Sequence, residues 1–228
     1  DAECVPPHDL TGRPAVPPAG PAAAKLTALM EASQPVVRKA AVTVGSAATQ
    51  IWLWGQGTHP QLPRFAARYG VDGRLSSAVD LVRGLGVLTG IEVLDVPGAT
   101  AGFDNDYGAQ TRAALASLED RDLFVLHVEA TDEAGHQGNA VEKTVQLERW
   151  DREVIGPLAK ALDESGPYRV LLMPDHATPC AAATHTGDPV PYLLYDSERP
   201  GPGGVYTEAG VASRPVVPAH ELMGRLVG

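Results

Sequence analysis

The stretch DLFVLHVEATDEAGH, residues 122–136, decides the fold. Its first nine residues, Asp122 to Ala130, form a dense apolar run with β-branched and aromatic members, which predicts a strand. The next six, Thr131-Asp132-Glu133-Ala134-Gly135-His136, break that run with small and polar residues. A carboxylate and an imidazole four positions apart share one side of a helical turn. On the C-terminal side, Asn139 to Glu164 predicts a long helix, with Val141, Val145, Val154, Leu158 and Leu162 largely at i+4 spacing and a kink at Pro157. Tyr168 to Met173 is a nearly continuous apolar run, the pattern of a strand covered on both faces, and it ends at Pro174-Asp175-His176. Pro191 to Tyr195 predicts another strand, and Ala219 to Val227 a closing helix.

On the N-terminal side the alternation continues back to about Gly70. Leu75 to Val79 and Ile91 to Val96 predict strands, and Asp80 to Leu88 and Ala109 to Leu118 predict helices. Alternating strands and helices imply an α/β sandwich around a mostly parallel sheet. The first 69 residues read differently. Pro6, Pro7, Pro14, Pro17, Pro18 and Pro21 keep the opening irregular or extended. A short helix is predicted over Ala22 to Ala32, a strand over Val36 to Val44 and another over Gln50 to Trp54 with Trp52 and Trp54 on one face. Gln61 to Tyr69 predicts a helix.

Composition removes several function classes. Eighteen Lys and Arg against 28 Asp and Glu leave a net charge of −10, which disfavours nucleic acid and acidic membrane surfaces as partners. Aromatic residues at 5% are too few for a base-stacking platform. Cys4 and Cys180 allow at most one bridge and fit a reducing cytoplasm better than a disulfide framework. Residues 40–63 carry no Asp, Glu, Lys or Arg, yet their Gly, Gln, Thr, Ser, His and Pro exclude a membrane span. The chain starts at Asp1 without an initiator Met or a signal pattern, which reads as the interior of a longer protein.

Three segments carry chemistry: Asp132 to His136, Asp175-His176, and His185 nine residues further on. In a parallel sheet the carboxyl ends of the strands share one edge, where ligands bind. Asp oxygens and His nitrogens together suit divalent ions such as Zn²⁺ or Mn²⁺. Five such groups exceed the roughly three protein ligands of one catalytic zinc and fall short of two full spheres. Any one pair alone reads as a helix cap beside a loop histidine. Three converging segments favour a metal site. Gly84 to Gly90 mimics a dinucleotide loop, but a strand follows where a helix is required, so packing or a turn is the simpler use. His127 reads as a core or edge histidine, Cys180 as a packed small residue, and Ser46 lacks a nucleophile elbow.

With these residues in view, the chain resembles a family. PPHDLTG (6–12), IWLWGQG (51–57), AVDLVRGLG (78–86), VPGATAGFDNDY (96–107), HVEATDEAGHQGN (127–139), PDHATP (174–179) and THTGDPVPY (184–192) are similar to the archaeal-type cofactor-independent phosphoglycerate mutases of the alkaline-phosphatase superfamily. The resemblance implies an alkaline-phosphatase-like three-layer sandwich with a mostly parallel sheet, plus part of an inserted smaller domain. Residues 1–69 would be the C-terminal part of that substrate-side insert, and 70–228 the C-terminal part of the metal-binding domain. It further implies two divalent ions, Mn or Zn, and no 2,3-bisphosphoglycerate. Asp132, His136 and His185 would hold one ion. Asp175 and His176 would hold the other, with an Asp and a nucleophilic Ser outside this chain. His8, Asp9 and Arg38 would face a small phosphorylated substrate, while His8-Asp9 reads equally as a turn with an Asp cap and Arg38, like Lys39, as a solvated surface charge. The implied reaction interconverts 2- and 3-phosphoglycerate through a phosphoserine, in the cytoplasm, and involves the N-terminal part of the protein.

Two positions depart from the pattern. Gln110 stands where the family suggests a lysine, and Ala183 where it suggests an arginine. The IWLWGQG form is also similar to a branch proposed to act as homoserine kinases. A kinase of that kind and a non-catalytic metal-binding α/β domain are the two alternatives.

Overall fold

The computed structural model describes residues 2–10 and 12–228, the side chain of His8 excepted. The chain divides into two compact units, Asp1–Gln61 and Leu62–Gly228. In the first, a 3-10 turn at Pro7–Leu10 precedes one long helix, α1 (Ala23–Val44). The strand expected over Val36 to Val44 is therefore helix. Val36, Val42 and Val44 are 70%, 84% and 76% exposed, so their weak alternation buries no face and pairs with no neighbour. Helical hydrogen bonding wins by default, even across Pro35 inside the helix. α1 stops at Gly45, left-handed at φ 68°, where the amides of Gly45 and Ser46 both turn back to the Ala41 carbonyl. No strand forms over Gln50 to Trp54 either. That segment is fixed by side chains instead of a ladder: Gln34 to Gln50 at 3.0 Å, and Trp52 Nε1 to the Val5 carbonyl at 3.0 Å. Trp54 is about half exposed.

The second unit starts with α2 (Phe65–Tyr69), shorter than expected, and then the sheet. Strands β1 (Gly73–Ser76), β2 (Glu92–Leu94) and β3 (Leu123–Leu126) pair in parallel in the order β2-β1-β3. Helix α3 (Asp80–Thr89) joins β1 to β2, and α4 (Tyr107–Ser117) joins β2 to β3. The two crossovers run in opposite directions, so right-handed connections place α3 and α4 on opposite faces. Contacts at consecutive residues of β1 agree. A Cβ on Gly86 of α3 would lie 2.9 Å from a Leu75 methyl and 2.7 Å from one of Val93, so this glycine serves close packing. On the other face, Gln110 of α4 reaches Ser76 Oγ at 3.0 Å.

Beyond β3 follow α5 (Ala130–His136), α6 (Ala140–Trp150), a π-turn at Asp151–Ile155, α7 (Gly156–Asp163), β4 (Arg169–Leu172), β5 (Leu193–Asp196), α8 (Glu208–Val211) and α9 (Leu222–Val227), the last entered through a 3-10 turn at Ala219–Glu221. The parallel β2-β1-β3 sheet with its helices is the α/β arrangement expected, and β4 and β5 add a separate antiparallel pair. Both cysteines are free thiols. Among the described residues no helix is long and apolar enough to cross a membrane.

The single long helix expected over Asn139 to Glu164 is broken, and the break has a physical cause. Pro157 has no amide hydrogen to offer the Glu153 carbonyl, its partner in a regular helix. The backbone widens into a π-turn, with the Gly156 amide on the Asp151 carbonyl. Thr111 Oγ1 of α4 shares its proton between the orphaned Glu153 carbonyl at 2.8 Å and the Tyr107 carbonyl of its own helix at 2.9 Å. The buried face of α6 is also more polar than its valines suggested. Val141 is 78% exposed, whereas Gln146 is buried and accepts the Tyr107 hydroxyl at 2.8 Å.

Replacing Thr111 with Val removes the hydroxyl at near-constant shape and leaves that carbonyl unpaired. Thermal or urea unfolding of the full-length protein should show a loss of about 1–3 kcal/mol, and Thr111→Ser a smaller one. Equal stability of Thr111→Val and the parent would contradict the account of the π-turn.

Candidate metal centre

β3 ends at Leu126 and the chain turns directly into α5, so Asp132 and His136 fall one helical turn apart. α5 lies hard against the segment after β4. A Cβ on Gly135 would overlap the Thr178 carbonyl, and Lys143 Nζ of α6 donates to that same carbonyl at 2.7 Å. The segment itself folds back on a turn at residues 179–183, where the amides of Ala182 and Ala183 meet the Pro179 carbonyl at 3.0 and 2.9 Å. An isolated antiparallel bridge pairs Ala177 with Thr186, and the Thr186 amide donates to the Ala177 carbonyl at 3.0 Å. The bridge sets His176 beside His185, ring centroids 3.9 Å apart.

All five residues Asp132, His136, Asp175, His176 and His185 thus form one contiguous cluster. Asp132 is its centre. His136 Nε2 lies 3.2 Å from one carboxylate oxygen, and His185 Nε2 lies 3.4 Å from the other. The two Nε2 atoms are 3.0 Å apart. His176 Nδ1 lies 4.0 Å from Asp132, and His176 Nε2 3.5 Å from Asp175. Donor atoms of Asp132, His176 and His185 lie within 4.8 Å of one another.

This donor set fits a cation. His136 Nδ1 is 3.2 Å from the Ala183 carbonyl, an acceptor only, so Nδ1 carries the proton and Nε2 presents a lone pair. A lone pair facing a carboxylate oxygen and a second imidazole is repulsive unless a proton or cation lies among them. Donors about 2.0–2.1 Å from one tetrahedral zinc stand about 3.3 Å from each other. The spacings of 3.0, 3.2 and 3.4 Å match that edge length.

Several supporting groups did not stand out in the sequence. Thr178, buried at 5% exposure, donates its hydroxyl to Asp132 and lies 3.2 Å from His176 Nδ1. Its place within the quoted segment 174–179 was the available signal. Glu129, just before α5, is pushed up to about 7 by burial first and then by the charges of Asp132, Asp175 and Glu133. His127 is held below its ordinary range chiefly by burial. It lies 3.7 Å from Glu129 and 4.0 Å from Asp175. Ala183 takes φ 52°, the left-handed region, with no other non-glycine residue there among those described. It contributes a backbone carbonyl where the family pattern suggested a cationic side chain. Gln110 is 1% exposed and fully engaged, accepting from Asn105 at 2.8 Å and donating to Ser76 and to the His127 carbonyl at 3.0 and 3.2 Å. A neutral amide there braces the ends of β1 and β3. Cys180 packs by the Ala134 carbonyl, 4.0 Å away.

The substrate-side candidates lie in the first unit. Asp9 sits in the 3-10 turn, and Arg38 on α1 reaches Gln34 at 3.4 Å. The His8 side chain lies outside the described residues.

A family model described as the metalloenzyme superfamily matches residues 23–212. Among curated relatives, the 2,3-bisphosphoglycerate-independent phosphoglycerate mutase of Methanothrix thermoacetophila is 46% identical over 206 residues, covering 86% of this chain and 53% of its own. That of Methanosarcina acetivorans is 39% identical over 242 residues, covering 100% of this chain and 60% of its own. The chain therefore spans between half and two thirds of the length of these relatives. The solved structure of the PH0037 protein from Pyrococcus horikoshii aligns at TM-score 0.59 and 30% identity, over 72% of this chain and 45% of that one. The cofactor-independent phosphoglycerate mutase of Thermoplasma acidophilum aligns at TM-score 0.56 and 22% identity, over 94% and 55%, and bears on the fold alone.

Glu129 gives the cluster a pH signature. Its folded value of about 7 lies above the ordinary 4.5, so the folded state keeps a proton that the unfolded chain releases. That contribution is fully present below pH 4.5 and is lost as pH rises through about 7. Unfolding in chelator across this window should show falling stability, and Glu129→Gln should flatten the slope. An unchanged slope in the variant would contradict the assignment.

Proposed function

The chain belongs to the metalloenzyme superfamily, and we propose that it is the metal-binding portion of a cytoplasmic cofactor-independent phosphoglycerate mutase. The observation that carries this reading is the Asp132-centred cluster, in which two imidazole nitrogens and a carboxylate converge at 3.0–3.4 Å. In the proposed enzyme, 2- and 3-phosphoglycerate interconvert through a phosphoserine whose serine lies outside this chain, and no 2,3-bisphosphoglycerate is needed. Residues 1–69 are assigned to an inserted substrate-side domain and 70–228 to the metal-binding domain. His8, Asp9 and Arg38 are assigned to the phosphorylated substrate.

Asp132, His136 and His185 would hold one Mn²⁺ or Zn²⁺, and Asp175 and His176 a second. The second sphere is completed by groups from the N-terminal part of the protein. Such ions neutralise phosphoryl oxygens and lower the pKa of an adjacent hydroxyl. The remaining work belongs to this chain's own groups. The Ala183 carbonyl keeps the His136 proton on Nδ1, which leaves Nε2 as donor. The Thr178 hydroxyl holds the Asp132 carboxylate in one orientation. Gln110, by clasping Ser76 and the His127 carbonyl, holds the sheet edge still. With Gln110 buried and neutral, phosphate binding falls to the ions and to cations elsewhere.

Full-length protein with Mn²⁺ should interconvert 2- and 3-phosphoglycerate without added bisphosphoglycerate and lose activity in chelator. Asp132→Asn should lower activity by more than about 100-fold, since even outer partners of metal ligands are worth 10–100-fold. Interconversion that survives both chelator and Asp175→Ala would overturn the proposal. So would transfer of phosphate from ATP to homoserine by a protein inert toward phosphoglycerate.

A further inference from the structure

His127 lies beside the cluster without belonging to it. Its backbone is clamped on both sides, the amide on the Ser76 carbonyl at 2.9 Å and the carbonyl under the Gln110 amide at 3.2 Å. Its imidazole is 19% exposed. Nδ1 lies 3.0 Å from Ser77 Oγ, while Nε2 faces Glu129 at 3.7 Å and Asp175 at 4.0 Å. A neutral ring carries one proton. On Nδ1, it would leave the Nε2 lone pair facing the Asp175 carboxylate oxygen. On Nε2, it offers both Glu129 and Asp175 a donor. The second arrangement requires Nδ1 to accept, so the Ser77 hydroxyl is the donor. Ser77 is placed for this: it is 2% exposed, and its oxygen already accepts the Val79 amide at 3.0 Å.

Asp175 needs such a partner. It sits on a loop, and its side chain is 64% exposed, the most open of the five cluster residues. One oxygen accepts the His176 amide at 3.0 Å. The other is the oxygen that faces both His176 Nε2 and His127 Nε2. The gap to His127 is about 1 Å beyond a hydrogen bond, within reach of a rotation of the exposed carboxyl group.

We propose that His127, locked in its Nε2–H tautomer by Ser77, is a positioning residue that orients the Asp175 carboxylate for a divalent ion. The proposal rests on the metal-centre reading above. Carboxylates that bind metals are themselves hydrogen-bonded, and losing such a partner costs about 10–100-fold in metal affinity. A loop carboxylate with no partner must be ordered by the ion itself, at the expense of binding.

The test is Mn²⁺ affinity of the full-length protein, read by calorimetry and by the Mn²⁺ electron paramagnetic resonance signal, with Asp175→Ala as control. His127→Ala should weaken one Mn²⁺ site by about 10–100-fold, and His127→Gln, which keeps an N–H donor, should recover most of that loss. Melting temperatures in chelator separate a folding defect from lost positioning. Should His127→Ala fail to fold, Ser77→Ala frees the ring without removing it and should weaken the same site by about 10-fold. If Asp175→Ala loses an ion while His127→Ala, or Ser77→Ala in its place, binds like the parent, the role of His127 is refuted and the metal centre stands. If His127→Gln folds normally yet binds no better than His127→Ala, positioning through the N–H is refuted. If Asp175→Ala binds both ions like the parent, the metal-centre reading itself fails.

Discussion

The contact between Thr178 and α5 is the constraint on which the cluster depends. Gly135 has no Cβ, so the helix can press against the Thr178 backbone, and the threonine hydroxyl can then reach Asp132. That single approach docks the segment after β4 onto the segment after β3. Its ends are tied down by independent groups: Lys143 on the Thr178 carbonyl, the Ala177–Thr186 bridge, and the Ala183 carbonyl on His136. Any side chain at position 135 would push the two segments apart and separate Asp132 from His176 and His185.

Behind this contact, the parallel sheet acts as a rigid mount. Close packing of Gly86 on Leu75 and Val93 fixes α3, and the buried amide of Gln110 fixes α4 against the ends of β1 and β3. The first sets a helix backbone against strand side chains, and the second ties one helix side chain to both β1 and the residue after β3. The strain visible near the site, a left-handed Ala183, lies on the turn between His176 and His185. An alanine there costs more than a glycine and is kept in place by the tight 179–183 turn.

Much of this arrangement was legible from residue order. The apolar runs of β3 and β4, the polar residues that end them and the four-residue step from Asp132 to His136 follow from local periodicity, whereas β1 begins two residues before the strand expected from Leu75. The gathering of the three segments was expected from a shared parallel-sheet edge, and the structure achieves it instead through the Thr178–α5 contact and the Ala177–Thr186 bridge. What escaped depends on partners distant in sequence. Val36 to Val44 has strand composition, but exposure on α1 gives its valines nothing to pair with. The π-turn at Asp151–Ile155 reflects a missing amide at Pro157 and a hydroxyl 42 positions earlier at Thr111. The antiparallel partnership of β4 and β5 has no signature in either strand alone. Ser77 was silent for the same reason, and Thr178 showed only as a member of the segment 174–179, since a hydroxyl's role is set by what it meets.

The central claim is that Asp132, His136 and His185 surround one divalent ion. Anomalous diffraction from crystals of the full-length protein grown with Mn²⁺ or Zn²⁺, collected on both sides of the metal edge, tests it most directly. The account requires a peak bonded to an Asp132 carboxylate oxygen, His136 Nε2 and His185 Nε2. Crystals saturated with metal that show no peak there, with His136 and His185 instead sharing a proton, would contradict it.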